Sequence, residues 1–240
     1  MGDIITILDK RLRLEQLKNG FRTSIDAVLL AAACPADEGE TILDIGCGIG
    51  SSSLPLLRRV KDTTLVAIDI LPEAVKLAKS NAEMNQMGER ADFRCIDIRD
   101  FDFETFDHVI CNPPYLEAGG HIKSPVHEKQ IAIGLGEDDM DLKDWIDCAF
   151  RSIRGKGSLT IINRAENVDD IIRIMGKRFG AVEIIPLWPK TKQDAKRVIV
   201  RARKHRRSPA RMHNGIVIHK ENGDYTEAAQ KVLRDMEPIA

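Results

Sequence analysis

Thr41-Ile42-Leu43-Asp44-Ile45-Gly46-Cys47-Gly48-Ile49-Gly50 is the stretch from which the fold of this chain can be read. A short apolar strand is closed by glycines at alternate positions. Glycine permits a tight turn and lets the backbone approach a ligand closely. Residues 51–60 then read as a helix, with Ser51 or Ser52 as its cap. Moving outward, residues 64–69 read as a strand and 72–84 as a helix. Pro72 stands in the first turn of that helix, where its missing donor costs nothing. Residues 91–96 and 106–111 are strands, and 142–153 a helix with Leu142, Trp145, Ile146, Ala149 and Ile153 on one face. A strand at 157–162, a helix at 168–178 and strands at 181–186 and 197–202 complete the pattern. Strands alternating with helices imply parallel pairing in an open sheet covered on both sides, a doubly wound α/β fold.

Before this core lies an apolar helix at 25–34, and after it a basic stretch, a short strand at 216–219, a turn at Asn222-Gly223 and a helix from about Glu227. The expectation is one domain over 1–240. Residues 1–40 and 203–240 are extensions to a 41–202 core.

Composition narrows the class. The 240 residues are 43% hydrophobic and 30% charged, with a net charge of -1, so no global field points to a nucleic acid or a membrane. No apolar run approaches the ~20 residues of a membrane span, and no secretory leader is read. The five cysteines are odd in number and none are spaced two apart, which argues against a disulfide framework or a zinc site. The expectation is a soluble, reduced, cytoplasmic protein without a metal.

Acidic residues recur at strand ends. Asp44 stands two residues before the first glycine, and the loop has one residue, not two, between its second and third glycines. That spacing departs from the dinucleotide fingerprint, and an anionic pyrophosphate would be repelled by Asp44. A ligand carrying a cationic amino group and a sulfonium would be attracted. Asp69 ends the second strand and can accept from ribose hydroxyls. Asp97 follows the third strand and can accept from an adenine amino group while Ile98 or Ile70 packs on the ring. Each acid alone could merely end a strand or cap a helix. Together with the glycine loop they form one edge of the sheet, where ligands of open α/β sheets bind.

Asn112-Pro113-Pro114-Tyr115 follows the fourth strand. Two prolines cannot continue a helix or a central strand, so a stiff loop displays an amide, a carbonyl and an aromatic ring. Such a set suits a flat, nitrogen-bearing group.

In this order the glycine loop, Asp69, Asp97 and the tetrapeptide resemble class I S-adenosylmethionine-dependent methyltransferases of the amino-group branch. That resemblance covers about residues 20–202. It implies a Rossmann-like, seven-stranded, mostly parallel sheet with its last strand antiparallel, and S-adenosylmethionine as cofactor. It implies cofactor contacts at Asp44, Gly46, Gly48, Gly50, Asp69, Ile70, Asp97, Ile98 and Asn112, with Phe21 and Arg22 helping to close the site. The tetrapeptide implies methylation of a planar nitrogen, in a nucleobase or a glutamine amide. Within the branch, residues 19–30 and the tail around 223–226 are similar to the bacterial enzymes that methylate N6 of the adenine beside the anticodon of valine tRNA.

The chemistry fits that implication. An exocyclic amine is a poor nucleophile because its lone pair is delocalised into the ring. Asn112 and the Pro113 carbonyl can each accept a hydrogen bond from it, fixing its orientation and favouring the charge that grows on nitrogen. Tyr115 would stack on the base, which must be unstacked from its neighbours. Residues 196–211 hold eight Lys or Arg and no acid and adjoin the strand expected at the sheet edge, so Arg203, Lys204, Arg206 and Arg207 are expected to contact RNA phosphates. Two rivals remain open. A glutamine-amide methyltransferase of release factors would share the tetrapeptide, but such enzymes normally carry a longer helical amino-terminal region. A non-catalytic RNA-binding protein could retain the fold.

Overall fold

The computed structural model describes residues 2–16, 23–101, 104–114 and 140–239. It begins with a hairpin, β1 (Asp3–Ile7) and β2 (Leu12–Gln16), and helix α1 (Ile25–Ala33). Then come β3 (Thr41–Ile45), α2 (Ser53–Arg59), β4 (Thr64–Asp69), α3 (Pro72–Met84), β5 (Ala91–Cys95) and β6 (Phe106–Cys111). The second half holds α4 (Leu142–Ser152), β7 (Ile153–Arg164), α5 (Val168–Met175), β8 (Phe179–Trp188) and β9 (Arg197–Lys204). Short strands β10 (Arg211–Met212) and β11 (Ile216–Val217) precede helix α6 (Glu227–Asp235). No helix among the described residues is long and apolar enough to cross a membrane.

The sheet order is β10-β8-β9-β7-β6-β3-β4-β5, with β11 also on β8. From β7 to β5 all pairings are parallel, whereas β9 runs antiparallel to both β7 and β8. The core is therefore a mostly parallel, doubly wound sheet of seven strands, β3 to β9, with β10 and β11 added along one edge. Side chains alternate between faces with period two. Ile42, Ile110, Ile162 and Ile199 point to a face covered by α1, α2, α3, α6 and the hairpin. Leu43, Val109, Ile161 and Val200 point to the face covered by α4 and α5. β3 lies between β4 and β6, so the chain leaves it in one direction and later returns on its other side. This is the switch point at which an open sheet leaves a crevice beyond the carboxyl ends of its strands.

The hairpin was not expected from the sequence, and it is held in an unusual way. Leu12 and Leu14 are fully buried while Arg13 is exposed, the alternation of a strand with one wet face. The free edge of β2 meets α3, not another strand. Asn81 Oδ1 accepts from the Glu15 amide at 2.8 Å and Asn81 Nδ2 donates to the Glu15 carbonyl at 3.2 Å. Asn85 repeats this pair of bonds with Arg13, at 3.0 and 2.7 Å. Residues four apart on a helix rise about 6 Å, and residues two apart on a strand about 6.7 Å, so two amides can match two peptides. They cover an edge that would otherwise be open to another chain.

Several boundaries move relative to the sequence reading. The fifth core strand starts at Ile153, not at 157, because Arg154-Gly155-Lys156-Gly157 is an irregularity within β7, not a turn before it. There β7 passes so close to β6 that a Cβ on Gly157 would lie 2.4 Å from the Asp107 carbonyl oxygen. The helix read as 168–178 stops at Met175, and Gly176–Arg178 form a 3-10 turn. Helix α2 starts at Ser53, and Ser52 makes no side-chain cap bond. The serines there are engaged elsewhere: Ser51 Oγ lies 2.9 Å from Thr23 Oγ1, and Ser53 Oγ donates to Asp44.

Candidate active site

The glycine loop hangs from the end of β3 and is pinned to β4. The amides of Gly46 and Cys47 donate to the Ile68 carbonyl at 2.8 and 3.0 Å, and the Gly48 amide donates to Asp69 Oδ2 at 2.8 Å. The other Asp69 oxygen accepts from the Leu71 amide at 2.9 Å. One carboxylate therefore joins the loop to the start of α3. Asn81 Nδ2 also donates to the Ile49 carbonyl at 3.0 Å, so the residue that clasps the hairpin steadies the loop as well. Thr23, just before α1, reaches the loop through Ser51. Asp26 of α1 pairs with Arg197 at 3.0 Å, bringing α1 against the start of β9.

The glycines of this loop face different surroundings. At Gly46 (φ 72°) a Cβ would lie 2.5 Å from Cη2 of Trp145, which packs across the loop from α4. At Gly48 (φ 55°) a Cβ would meet nothing within 4 Å. Open space therefore adjoins the middle of the loop at Gly48.

Asp44 is 1% exposed and accepts from Ser53 Oγ at 2.5 Å. Burial pushes its carboxyl up to about 7, against the Ser53 hydrogen bond, and the nearby Asp69 charge adds to the rise. Burial also raises Asp69, offset by the backbone amides it accepts from. Between about pH 4 and 7 folded Asp44 keeps a proton that the unfolded chain has lost, so stability falls as pH rises through that window. Asp44→Asn is expected to lose less stability than the parent between pH 4 and 7 in thermal melts. Asp69 leaves a residual slope of the same sign. Equal slopes would show that Asp44 ionises normally.

Asp97 follows β5 and is gripped by Arg99. The guanidinium donates from Nη2 to Oδ2 at 2.7 Å and from Nε to Oδ1 at 3.1 Å, and the Arg99 amide adds a third bond at 2.8 Å. The Arg99 hydrogen bonds hold the Asp97 carboxyl below its ordinary value. Ile98 is 5% exposed and belongs to the core under α4, whereas Ile70 is half-buried at the rim. Asn112 is half-buried, Pro113 buried and Pro114 exposed, directly after β6. Because Ile45 and Cys111 are register partners, Asn112 and Gly46 begin side by side beyond the switch point. Phe21, Arg22 and Tyr115 lie outside the described residues.

The basic segment is placed differently from expectation. β9 is an interior strand, not an edge, and runs against its neighbours. Arg197 pairs with Arg164 at the carboxyl end of β7, but Arg203 pairs with Ser158 near its start. Arg203, Lys204, Arg206 and Arg207 therefore stand at the end of the sheet opposite Asn112. Lys204 is committed there: its Nζ donates to the Phe150 and Ile153 carbonyls at 2.7 Å each, over the Phe150 ring. A cavity of about 630 Å³ also lies at that far end, between Thr41, Thr64, Ala91 and Phe106. Two charges on its rim are matched, Arg154 with Asp107 and Glu104 with Arg94.

A family model described as methyltransferase small domain matches residues 22–188, from before α1 to the end of β8. The chain belongs to this family. It is an S-adenosylmethionine-dependent methyltransferase. The tRNA1(Val) (adenine(37)-N6)-methyltransferase of Shewanella baltica is 25% identical over 233 residues, 94% of this chain and 96% of that relative. The enzyme of the same name from Aeromonas hydrophila is 24% identical over 221 residues, 91% of each. Among solved structures, one titled as a predicted O-methyltransferase from Agrobacterium tumefaciens aligns with a TM-score of 0.73 at 24% identity, over 90% of this chain and 98% of that one. A geranyl diphosphate C-methyltransferase from Streptomyces coelicolor aligns at 0.56 and 14% identity, over 75% of this chain and 80% of that one. Identities this low show the methyltransferase fold alone.

The site fits the cofactor of this methyltransferase. The open space at Gly48, the Asp69 carboxylate at the end of β4 and the Asp97 carboxylate after β5 supply the close backbone approach and the acceptors that the hydroxyls and amino group of a nucleoside need. Trp145, Ser53 and Asn81 were not singled out as site residues from the sequence. They act through loop residues, and their long-range contacts leave no local signal.

Proposed function

We propose that this methyltransferase modifies N6 of an adenine in RNA, most closely matching the anticodon-adjacent adenine of a tRNA. One observation carries the reading: Asn112-Pro113-Pro114 leaves β6 beside the glycine loop of β3, at the switch point. The names of the full-length relatives support the same substrate. Bound S-adenosylmethionine supplies an electrophilic methyl group. Asp69 holds the ribose hydroxyls while keeping its bond to Gly48. Ile70 packs on the adenine ring of the cofactor, in preference to the buried Ile98. Asp97 has about four acceptor positions, so the Arg99 fork leaves room for an amino donor. Asp44 sets the charge of the amino-acid end, and its ionised form is favoured by a cationic ligand.

At the target, the exocyclic amine donates to Asn112 Oδ1 and to the Pro113 carbonyl. Both acceptors face a nitrogen that becomes more positive as it attacks, so they hold the transition state more strongly than the ground state. Phe21, Arg22 and Tyr115 complete the proposal as closing and stacking residues. The setting is a cytoplasmic enzyme acting on structured RNA. Incubation with methyl-labelled cofactor and total RNA, followed by nucleoside analysis, is expected to return N6-methyladenosine from the tRNA fraction. Label in another nucleoside, or only in protein, would overturn the reading.

A further inference from the structure

One corner of the end of the sheet opposite Asn112 carries unmatched positive charge. Lys156 sits at the irregularity in β7, Lys177 in the turn before β8, and Arg206 and Arg207 just after β9. All four are exposed, and none makes an ion pair or side-chain hydrogen bond among the described residues. The backbone gathers them at one corner. The His205 amide donates to the Arg178 carbonyl at 2.9 Å, and the Ala181 amide to the Ser208 carbonyl at 3.0 Å. Arg203 bonds the Lys156 carbonyl at 3.3 Å and ties β7 to the same corner. Acids beside this corner have their own cationic partners: Asp107 pairs with Arg154, Asp147 with Arg178 and Lys143, and Glu183 with Arg201. Among the described residues at the catalytic end, the exposed Lys192, Lys196 and Lys220 are interleaved with exposed Asp194, Glu221 and Asp224.

We infer that this corner grips the phosphate backbone of a duplex arm of the RNA while the target base lies at the opposite end of the sheet. This rests on the reading that the substrate is RNA. The spacing makes the arrangement a ruler. Cys111 is level with Ile161 and Val200, and β9 continues to Lys204 before the corner begins. At about 3.3 Å per residue along the strands and about 4.8 Å between them, the corner lies on the order of 20–25 Å from Asn112. That is several base-pair steps along a duplex of RNA, which is A-form. A flipped-out base in a loop cannot reach the corner by itself, whereas the stem beneath the loop can.

The test uses the full chain and two RNA hairpins with the same adenine-containing loop. One has a stem of about three base pairs and the other about twelve, on either side of that reach. The variant is Lys156→Gln, Lys177→Gln, Arg206→Gln and Arg207→Gln combined, all at exposed positions where folding is not at stake. The parent is expected to show a KM for the long hairpin about tenfold lower than for the short one, at equal kcat. In the variant the long-hairpin KM should rise to the short-hairpin value, with kcat unchanged. Losing four phosphate contacts should also flatten the salt dependence of long-hairpin binding by about three to four in log–log slope. A variant that matches the parent on the long hairpin, or loses equally on both, overturns the inference. Equal KM of the parent for both hairpins overturns it too, while leaving RNA methylation intact. Methylation of neither hairpin nor total tRNA would instead sink the proposed function.

Discussion

Asn112→Ala is expected to lower kcat on RNA by about 10²–10³-fold, some 2.7–4 kcal/mol of transition-state stabilisation, as for loss of one preorganised acceptor or donor in an excluded site. The affinity for S-adenosylmethionine should stay within about threefold, because the lost interaction strengthens only as charge develops on the attacking nitrogen. The physical argument is specific to an amide nucleophile or aromatic amine. Its lone pair is tied up in the ring, and an acceptor that turns the N–H bonds away leaves that pair facing the methyl group. Equilibrium dialysis of the cofactor and single-turnover rates on tRNA separate the two effects. Turnover within about tenfold of the parent would remove Asn112 from the acceptor role.

The second large effect is a contrast between neighbours in one loop. Gly46→Ala is expected to destabilise the fold by about 2–5 kcal/mol. The new methyl meets Trp145 at 2.5 Å in a packed core, and alanine resists a φ of 72°. Gly48→Ala carries only the left-handed strain of about 1–2 kcal/mol, because its methyl meets no protein atom within 4 Å. That methyl instead enters the space assigned to the cofactor, so Gly48→Ala should weaken S-adenosylmethionine binding by about tenfold or more, as expected when a methyl group intrudes on a close backbone approach. Thermal melts without ligand, together with calorimetric titration, read the two axes. A Gly48→Ala protein that binds the cofactor normally would place the ligand elsewhere.

Much of the core was legible because strong local signals bound its elements. Pro72 at one end of α3 and the double proline after β6 mark those limits, and apolar runs bounded by glycine mark β3. The acids at strand ends were legible for the same reason, since a charged residue stands out where a continuous apolar run stops. The hairpin was not legible. Its turn uses Leu8, Asp9 and Lys10, all at positive φ, where a sequence reader expects glycine or asparagine. Its docking partners lie 66 and 72 residues away. The direction of the basic segment was hidden too. Counting charges cannot reveal that β9 enters the sheet backwards between β7 and β8 and carries Arg203 to Arg207 away from the catalytic end. Nor can spacing show that Trp145, about a hundred residues downstream, closes over Gly46 and leaves Gly48 open.

The Asn81 and Asn85 clasp has a consequence for how such a chain can diverge. Toward β2 both amides bond main-chain atoms and no side chain, so they are indifferent to which side chains Arg13 and Glu15 carry. Mutation can drift freely along the outer face of the hairpin, provided Leu12 and Leu14 stay apolar and the two asparagines persist. The memory of that ribbon is thus written in a helix far downstream, where a comparison of amino termini alone would never find it.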